Sequence, residues 1–236
     1  RHAAVGTNLS ALDAIEELME ETGLTATDVE RITVRMTEDA VRHSFWTPYI
    51  PNGLTAAQMH LGFCIGMKLI DGEVFVDQMI DENVGRPDLV EFAKRVDVVR
   101  SEAREQKGRA FARGADVEIL LTSGKKLSKT VDNFLGSYQR PMSDELMAAK
   151  FRRLASKALP VDQVGRLEAL CARSNVPTLQ QSCFVFCSCP SDESSGSSGD
   201  MRVDREKWND TYDEWAILIV GTVSSATKRQ CGRSPR

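Results

Sequence analysis

The stretch from Thr55 to Gly72, TAAQMHLGFCIGMKLIDG, constrains the fold more than any other part of the sequence. Its apolar residues lie nearly all round a helical projection, which is typical of a helix that is buried on every side. Thr55 offers an N-cap side chain, and Gly72 is a residue that tolerates the left-handed conformation of a helix end. The sequence therefore predicts one continuous buried helix here, against which the other elements pack.

Two glycines and three polar residues interrupt this apolar run. Gly62 and Gly66 lie four residues apart on one face, and each costs about 1 kcal/mol of helix propensity relative to Ala. We therefore expect another backbone to pack close to that face. Gln58, His60 and Lys68 make the run a poor membrane span. Near the start of a buried helix, Gln58 and His60 need polar partners, which are either protein groups or a ligand.

The overall composition is that of an ordinary globular protein. Of the 236 residues, 42% are hydrophobic and 27% are charged, with a formal net charge of -4. No general affinity for nucleic acid or for an anionic membrane follows from this balance. Of six cysteines only Cys64 lies in the first 170 residues, which does not resemble a disulfide framework. We expect an intracellular protein of the cytoplasm or mitochondrion. The chain begins at Arg1 rather than Met, which is compatible with a piece of a longer protein.

Hydrophobic periodicity predicts a mixed α+β fold. Alternating, β-branched segments predict four strands, and the SGKK turn predicts a hairpin between the last two. Apolar residues at helical spacing predict helices, with boundary signals at Gly23, Pro87 and Ser143. The predicted strands are 31–36, 96–99, 115–122 and 127–131; the helices besides 55–72 are 8–22, 88–95, 144–159 and 161–171; the loop is 47–53, and 101–113 is an exposed excursion.

The residues from about Arg173 onward differ in character from the rest. The run SDESSGSSG at 191–199 is of low complexity and is predicted to be disordered. The run WAILIVGTV at 215–223 is apolar but too short to span a bilayer. Cys183, Cys187 and Cys189 have no fourth ligand nearby, so they give little support to a metal site.

Four segments carry a resemblance to known proteins: RHAAVGTNLSALDAIEEL at 1–18, AAQMHLGFCIGMKLIDG at 56–72, VEILLTSGKKL at 117–127 and RPMSDELMAAKFRRLA at 140–155. In this order and spacing they resemble the MmgE/PrpD family, which includes 2-methylcitrate dehydratases and cis-aconitate decarboxylases. The resemblance implies an α/β lid domain over 1–135. It also implies that 136–172 is a returning segment of a larger helical domain, and that 173–236 is a tail outside the family.

The resemblance implies a cofactor-free lyase, usually a homodimer, that acts on a small di- or tricarboxylate. In its full-length form the reaction would be dehydration, as in a 2-methylcitrate dehydratase. The alternatives are a cis-aconitate decarboxylase-like or isomerase member, or a non-catalytic lid-domain fragment. The coding sequence upstream of Arg1 would discriminate between enzyme and fragment, since an open frame for a helical domain favours the enzyme.

The reactions implied by the resemblance need groups that move protons and groups that bind carboxylates. We therefore expect His2 and His60 to be catalytic and Arg1 and Gln58 to bind substrate. No metal is implied, and the histidines lack the spacing of a zinc site. His43 is expected to be an ordinary surface or partly buried histidine.

Some polar positions of the family are not matched in this sequence. By the resemblance, a Lys position falls just before Arg1, a His or Cys position falls on Val5, and a Tyr position falls on Phe63. The apolar side chains of Val5 and Phe63 argue against decarboxylation, and they also weaken the expectation of dehydration.

Overall fold

The computed structural model describes residues 1–49 and 52–173. They form two compact units, Arg1–Arg140 and the described residues from Pro141 onward. The first unit combines helices with a four-stranded sheet, which confirms the predicted α+β class. The predictions of disorder over 191–199 and of a short apolar run over 215–223 lie outside the described residues, as do the three clustered cysteines.

All four predicted strands are present, and each boundary lies within two residues of its predicted position. They are β1 (Val29–Met36), β2 (Val96–Arg100), β3 (Ala115–Leu121) and β4 (Lys126–Val131), in the spatial order β2-β1-β3-β4. β1 pairs in parallel with β2, whereas β1 with β3 and β3 with β4 are antiparallel. A parallel pair needs a long crossover, and the helices that follow β1 supply it.

The helices of the first unit cover the sheet and enclose the core. They are α1 (Leu9–Thr22), α2 (Glu38–Ser44), α3 (Leu54–Met59), α4 (Leu61–Asp71), α5 (Asp81–Val84), α6 (Pro87–Ala93) and α7 (Glu102–Gln106). α1 packs on β3, β4 and α4, and α4 packs on α6. As predicted, α1 ends at Gly23, which has a φ of 70°. Short 3-10 turns cover Gly6–Asn8, Ala26–Asp28 and Arg109–Phe111.

The prediction of one continuous helix over 55–72 is wrong at one position. The chain breaks at His60, whose φ of -77° and ψ of 108° are extended, so α3 and α4 are separate helices. The imidazole causes this break locally, because its Nδ1 accepts a hydrogen bond from the Phe63 N–H at 3.1 Å and thereby caps α4. Thr55 is not an N-cap, because α3 begins at Leu54 and Gly53 occupies the cap position.

The predicted burial and close packing of this region are otherwise confirmed. Nine of the 11 residues of α4 are buried, and the helix ends at Gly72. A Cβ added to Gly62 would lie 3.1 Å from the Ala93 carbonyl oxygen, so a backbone does approach there. At Gly66 the neighbour is the ring of Phe92, 3.2 Å from an added Cβ, and not a backbone.

Most of the segment 101–113 is exposed, as predicted, but α7 also carries a fully buried arginine. The Arg104 side chain is 0% exposed. Its Nε donates to Asp116 Oδ2 at 2.8 Å, its Nη1 donates to Asp132 Oδ1 at 2.5 Å, and its Nη2 donates to Asp116 Oδ1. Carboxylates on and just after the β3–β4 hairpin therefore hold the charged segment against the sheet.

The second unit contains two helices in its described part, α8 (Asp144–Ala155) and α9 (Val161–Arg173). Ser143 caps α8 as predicted, accepting from the Leu146 N–H at 3.3 Å. Arg152 and Glu168 link the two helices through a bidentate ion pair. Across the described ranges of both units, none of the helices is long and apolar enough to cross a membrane.

Candidate functional site

The break at His60 exposes backbone carbonyls that the N-terminal segment satisfies. Asn8 Nδ2 donates to Met59 O at 3.0 Å and to Gln58 O at 3.3 Å. The Val5 N–H donates to Gln58 O at 3.1 Å, and Cys64 Sγ donates to the same oxygen at 3.6 Å. The end of α3 therefore anchors the segment that carries Arg1 and His2.

His60 lies inside a shell of aromatic rings and has backbone partners on both nitrogens. It is 1% exposed, and its ring centroid lies 5.3, 4.8 and 4.4 Å from those of Phe45, Trp46 and Tyr49. Nδ1 accepts from Phe63, so Nε2 carries the proton and donates to Trp46 O at 2.9 Å. Burial lowers the pKa of His60, which keeps the imidazole neutral. In this geometry His60 holds the helix break together.

His2 forms a buried pair with an aspartate of α1. Its Nε2 lies 3.1 Å from Asp13 Oδ1, and Asp13 Oδ2 accepts from the Leu135 N–H at 2.6 Å. The side chains of His2 and Asp13 are 5% and 1% exposed. Because a carboxylate only accepts hydrogen bonds, the imidazole donates through Nε2 and leaves Nδ1 as the basic nitrogen.

Two cations meet a second carboxylate beside this pair. Arg1 Nη2 and Lys68 Nζ lie 2.7 and 3.0 Å from the same oxygen of Glu16. Lys68 is buried in α4 and reaches across to α1. We call the set Arg1, His2, Asp13, Glu16 and Lys68 the N-terminal charge cluster. With His2 neutral the formal charge of these five residues is zero. Arg140 Nη1 lies 3.8 Å from Asp13 Oδ2, but Arg140 is bound more closely by Glu17, at 2.8 Å.

Burial and hydrogen bonding set the protonation states of the pair. Burial is the largest influence on the pKa of His2 and lowers it, against the opposing hydrogen bond and charge of Asp13. Burial alone would raise the pKa of Asp13, but hydrogen bonds from His2 and Leu135 and the charge of Arg1 together outweigh it. The pKa of Asp13 is therefore below its ordinary value, and at neutral pH the pair is an imidazole beside a carboxylate.

The ligand atoms of His2, Asp13 and Glu16 lie within 4.8 Å of one another, as in a small metal site. Arg1 and Lys68 already bind Glu16, and the Leu135 N–H already binds Asp13. A divalent ion would add to positive charge that these groups supply. The donor set therefore fits a salt-bridged cluster better than a metal centre.

The structure brings together only some of the residues singled out in the sequence. Arg1 and His2 share the N-terminal charge cluster, and Gln58 is tied to their segment through Val5. His60 occupies the separate aromatic shell. His43 lies on the surface as expected, with 57% of its side chain exposed.

Sequence reasoning missed Asp13, Glu16 and Lys68 as members of the site. A signal for them existed, since Asp13 and Glu16 lie three residues apart on a helix whose neighbours are apolar. Val5 and Phe63, which fall where the family has polar residues, supply no polar side chain in the structure. Phe63 is fully buried and contacts Tyr49, while Val5 contributes its backbone N–H.

Curated relatives of this chain include cis-aconitate decarboxylases. The enzyme of Aspergillus terreus is 26% identical over 146 residues, which is 61% of this chain and 29% of that protein. The mouse enzyme is 27% identical over 143 residues, covering 60% of this chain and 28% of that protein. The cis-aconitate decarboxylase-like protein oryM of Aspergillus oryzae is 25% identical over 173 residues, or 71% and 35%.

The chain thus spans about a third of the length of the curated relatives that it matches. A family model for the MmgE/PrpD C-terminal domain matches residues 2–175, which is well over half of the chain. This match extends across the sheet, both helices of the second unit and every member of the N-terminal charge cluster except Arg1. It confirms the resemblance that the four sequence segments carry, and the chain belongs to the MmgE/PrpD family.

Proposed function

We propose that this chain is the C-terminal part of a cofactor-free lyase that acts on a small di- or tricarboxylate. The single observation that carries the proposal is the buried His2–Asp13 pair, 3.1 Å apart, beside the cations Arg1 and Lys68. A neutral imidazole held by a carboxylate is a general base, and cations nearby favour an anionic substrate. The reaction that we propose is dehydration of a tricarboxylate such as 2-methylcitrate.

His2 removes the proton from the carbon next to a substrate carboxylate in this proposal. Asp13 accepts the Nε2–H and so leaves Nδ1 as the nitrogen that takes the proton. The imidazolium that forms is stabilised by Asp13 and returns its proton to the hydroxyl of the adjacent carbon, so that the C–O bond breaks, a C=C bond forms, water leaves and His2 is neutral again. General base catalysis of this kind contributes about 10²- to 10⁴-fold in rate.

Arg1 and Gln58 are the proposed substrate-binding residues. Arg1 is 29% exposed in its side chain, and Glu16 holds it at 2.7 Å. The side-chain amide nitrogen of Gln58 has no hydrogen-bond partner among the described residues. When His2 takes a proton, the formal charge of the N-terminal charge cluster rises from zero to +1. The cluster then attracts the carboxylates of the reacting substrate more strongly.

His60, the second proposed catalytic residue, would act only if one of its backbone hydrogen bonds opened. Its Nε2–H bond to Trp46 O is the one that could exchange for a substrate oxygen, since Nδ1 caps α4. We therefore rank His60 below His2 as a proton-transfer group. We also propose that the enzyme is a homodimer.

Decarboxylation of cis-aconitate is the second candidate, because the curated relatives carry that name. It would use the protonated His2 to deliver a proton to carbon. Val5 and Phe63 offer no proton-transferring group, so we rank this reaction below dehydration. An isomerase or a non-catalytic lid fragment would retain the fold without either turnover.

The test uses a polypeptide extended upstream of Arg1 by its own coding sequence, assayed with 2-methylcitrate and cis-aconitate by proton NMR. His2→Gln should lower kcat by about 100-fold or more, because the amide replaces the donor to Asp13 but cannot act as a base. His43→Gln is the matched control, since His43 is an exposed histidine. Equal kcat values for His2→Gln and the wild type would refute the role of His2. The product seen in the proton NMR spectrum shows whether the reaction is dehydration or decarboxylation.

A further inference from the structure

The Tyr49 hydroxyl is a buried hydrogen-bonding group without a partner among the described residues. Its ring packs on His60 and Phe63, with centroid distances of 4.4 and 5.2 Å. A phenylalanine would fill the same aromatic shell without leaving a polar atom unpaired. Buried polar groups are nearly always hydrogen-bonded, so an orphaned hydroxyl in a packed shell points to a partner that binds there.

A second orphaned donor lies at the same helix break. The Gln58 side-chain nitrogen is buried without a partner, although its backbone oxygen binds Val5, Asn8 and Cys64. Tyr49 contacts His60, which lies two residues after Gln58 in the chain. Burial and, secondarily, the nearby Cys64 raise its pKa to about 12. Cys64 Sγ in turn lies 3.6 Å from Gln58 O. Tyr49 contacts His60 and Phe63, and Gln58 lies two residues before His60, so both orphaned groups belong to residues at the start of α4.

The chemistry of the two groups specifies the ligand. A phenol O–H and an amide NH₂ both donate hydrogen bonds, and both are uncharged at neutral pH. A ligand that satisfies both donors at once must present acceptor oxygens. A carboxylate presents two such oxygens, and hydrogen bonds to a charged acceptor are stronger than bonds between neutral groups.

We propose that Tyr49 and Gln58 form a donor pair that binds a carboxylate of the substrate. This assignment rests on the proposed function, because it names the groups that receive the anionic substrate of that lyase. Tyr49 is a binding residue in this assignment and takes no part in proton transfer. Its hydroxyl remains a neutral donor throughout the pH range in which His2 titrates.

The test measures binding of propane-1,2,3-tricarboxylate, which lacks a leaving group, to the 236-residue chain by NMR titration. Tyr49→Phe should raise the Kd at least fivefold and should leave the melting temperature unchanged or higher, because the variant removes an orphaned hydroxyl. Tyr138→Phe is the matched control, since Tyr138 is 97% exposed, and it should bind as the wild type does. Gln58→Leu should weaken binding in the same direction as Tyr49→Phe.

Three outcomes would overturn parts of this scheme, and they are distinguishable. A Kd of Tyr49→Phe equal to that of the wild type would refute the donor pair alone. The His2→Gln assay would still decide whether His2 is the general base. A lower melting temperature with unchanged binding would show that the hydroxyl serves the fold and would also refute the pair. No binding of the tricarboxylate by the wild-type chain would refute the donor pair, whereas turnover by the upstream-extended polypeptide would still decide the proposed substrate class.

Discussion

Replacement of Arg104 by Met should destabilise the first unit more than any substitution of a surface arginine. Arg104 is fully buried and makes hydrogen bonds through three nitrogens to Asp116 and Asp132. Met keeps much of the aliphatic stem but removes the charge and all three donors. The two aspartates are then left facing each other without the cation that holds them.

The magnitude follows from the exposure of the partners. Removing one member of a fully buried ion pair costs roughly 3–5 kcal/mol. Asp116 and Asp132 are 33% and 40% exposed in their side chains, so water replaces part of the lost interaction. Thr130 and Lys107 also remain bonded to them, at 2.7 Å each. We therefore expect a loss of about 2–4 kcal/mol in the free energy of unfolding.

The assay is chemical denaturation of the 236-residue chain followed by circular dichroism. Arg42→Met is the matched control, because Arg42 is 74% exposed and pairs with Glu38 within one helix. That substitution should cost only about 0.3–0.5 kcal/mol. A loss for Arg104→Met no larger than that of the control would refute the reasoning.

Acid provides a second readout of the same network. Burial would raise the pKa of Asp116, but its hydrogen bonds with Arg104 and Thr130 outweigh burial and lower it. The pKa of Asp132 is also lowered, chiefly by the hydrogen bond from Lys107. Both folded-state values lie below the unfolded value of about 3.9. The stabilisation is therefore complete above that pH and is lost as the pH falls through the folded values. The difference in the free energy of unfolding between the wild type and Arg104→Met should become smaller below about pH 4.

Three further predictions concern packing, pH and the completeness of the site. Leu at Gly62 or Gly66 should cost about 1–3 kcal/mol in the free energy of unfolding, because the added side chain overpacks against α6; a higher melting temperature for both variants would contradict this. In the upstream-extended polypeptide, kcat should fall as the pH drops through the pKa of His2, which lies below 6.5, since only the neutral imidazole accepts a proton. A kcat that is unchanged across that range would exclude His2 as the base. The 236-residue chain alone should not turn over 2-methylcitrate or cis-aconitate, because a half-site forfeits most of the roughly 7–11 kcal/mol that positioning supplies. Turnover by this chain that disappears in His60→Ala would show that it holds a complete site.

The parts of the fold that the sequence predicted are those with local causes. Alternation of apolar residues predicted β1 to β4. Gly23 and Ser143 marked helix ends because each bonds to a residue in the adjacent helical turn, Gly23 to Met19 and Ser143 to Leu146. The break at His60 had a local cause too, the imidazole cap, but its carbonyls are satisfied by Asn8, about 50 residues away. Such a remote partner leaves no periodic trace in the sequence.

The same distinction explains what was missed in the site and in α7. A charged segment such as 101–113 has the composition of a solvated loop. Arg104 is buried because Asp116 and Asp132 reach it from the β3–β4 hairpin and from just beyond it. Asp13 and Glu16 occupy ordinary polar positions on a helix until Lys68 and His2 reach them from other segments. Tertiary contacts, rather than propensity, create these networks.

The order β2-β1-β3-β4 leaves β4 as an outer strand of the sheet formed by the described residues. An outer strand presents unpaired backbone groups that can recruit a strand from another copy and begin aggregation. β4 carries Lys126 and Lys129, whose ammonium groups bind Glu118 on β3 and Glu17 and Glu21 on α1. A second copy pairing edge to edge would have to bury these ion pairs, which is costly because charged groups lose their water. Replacing both lysines by Thr should therefore promote self-association of the folded chain.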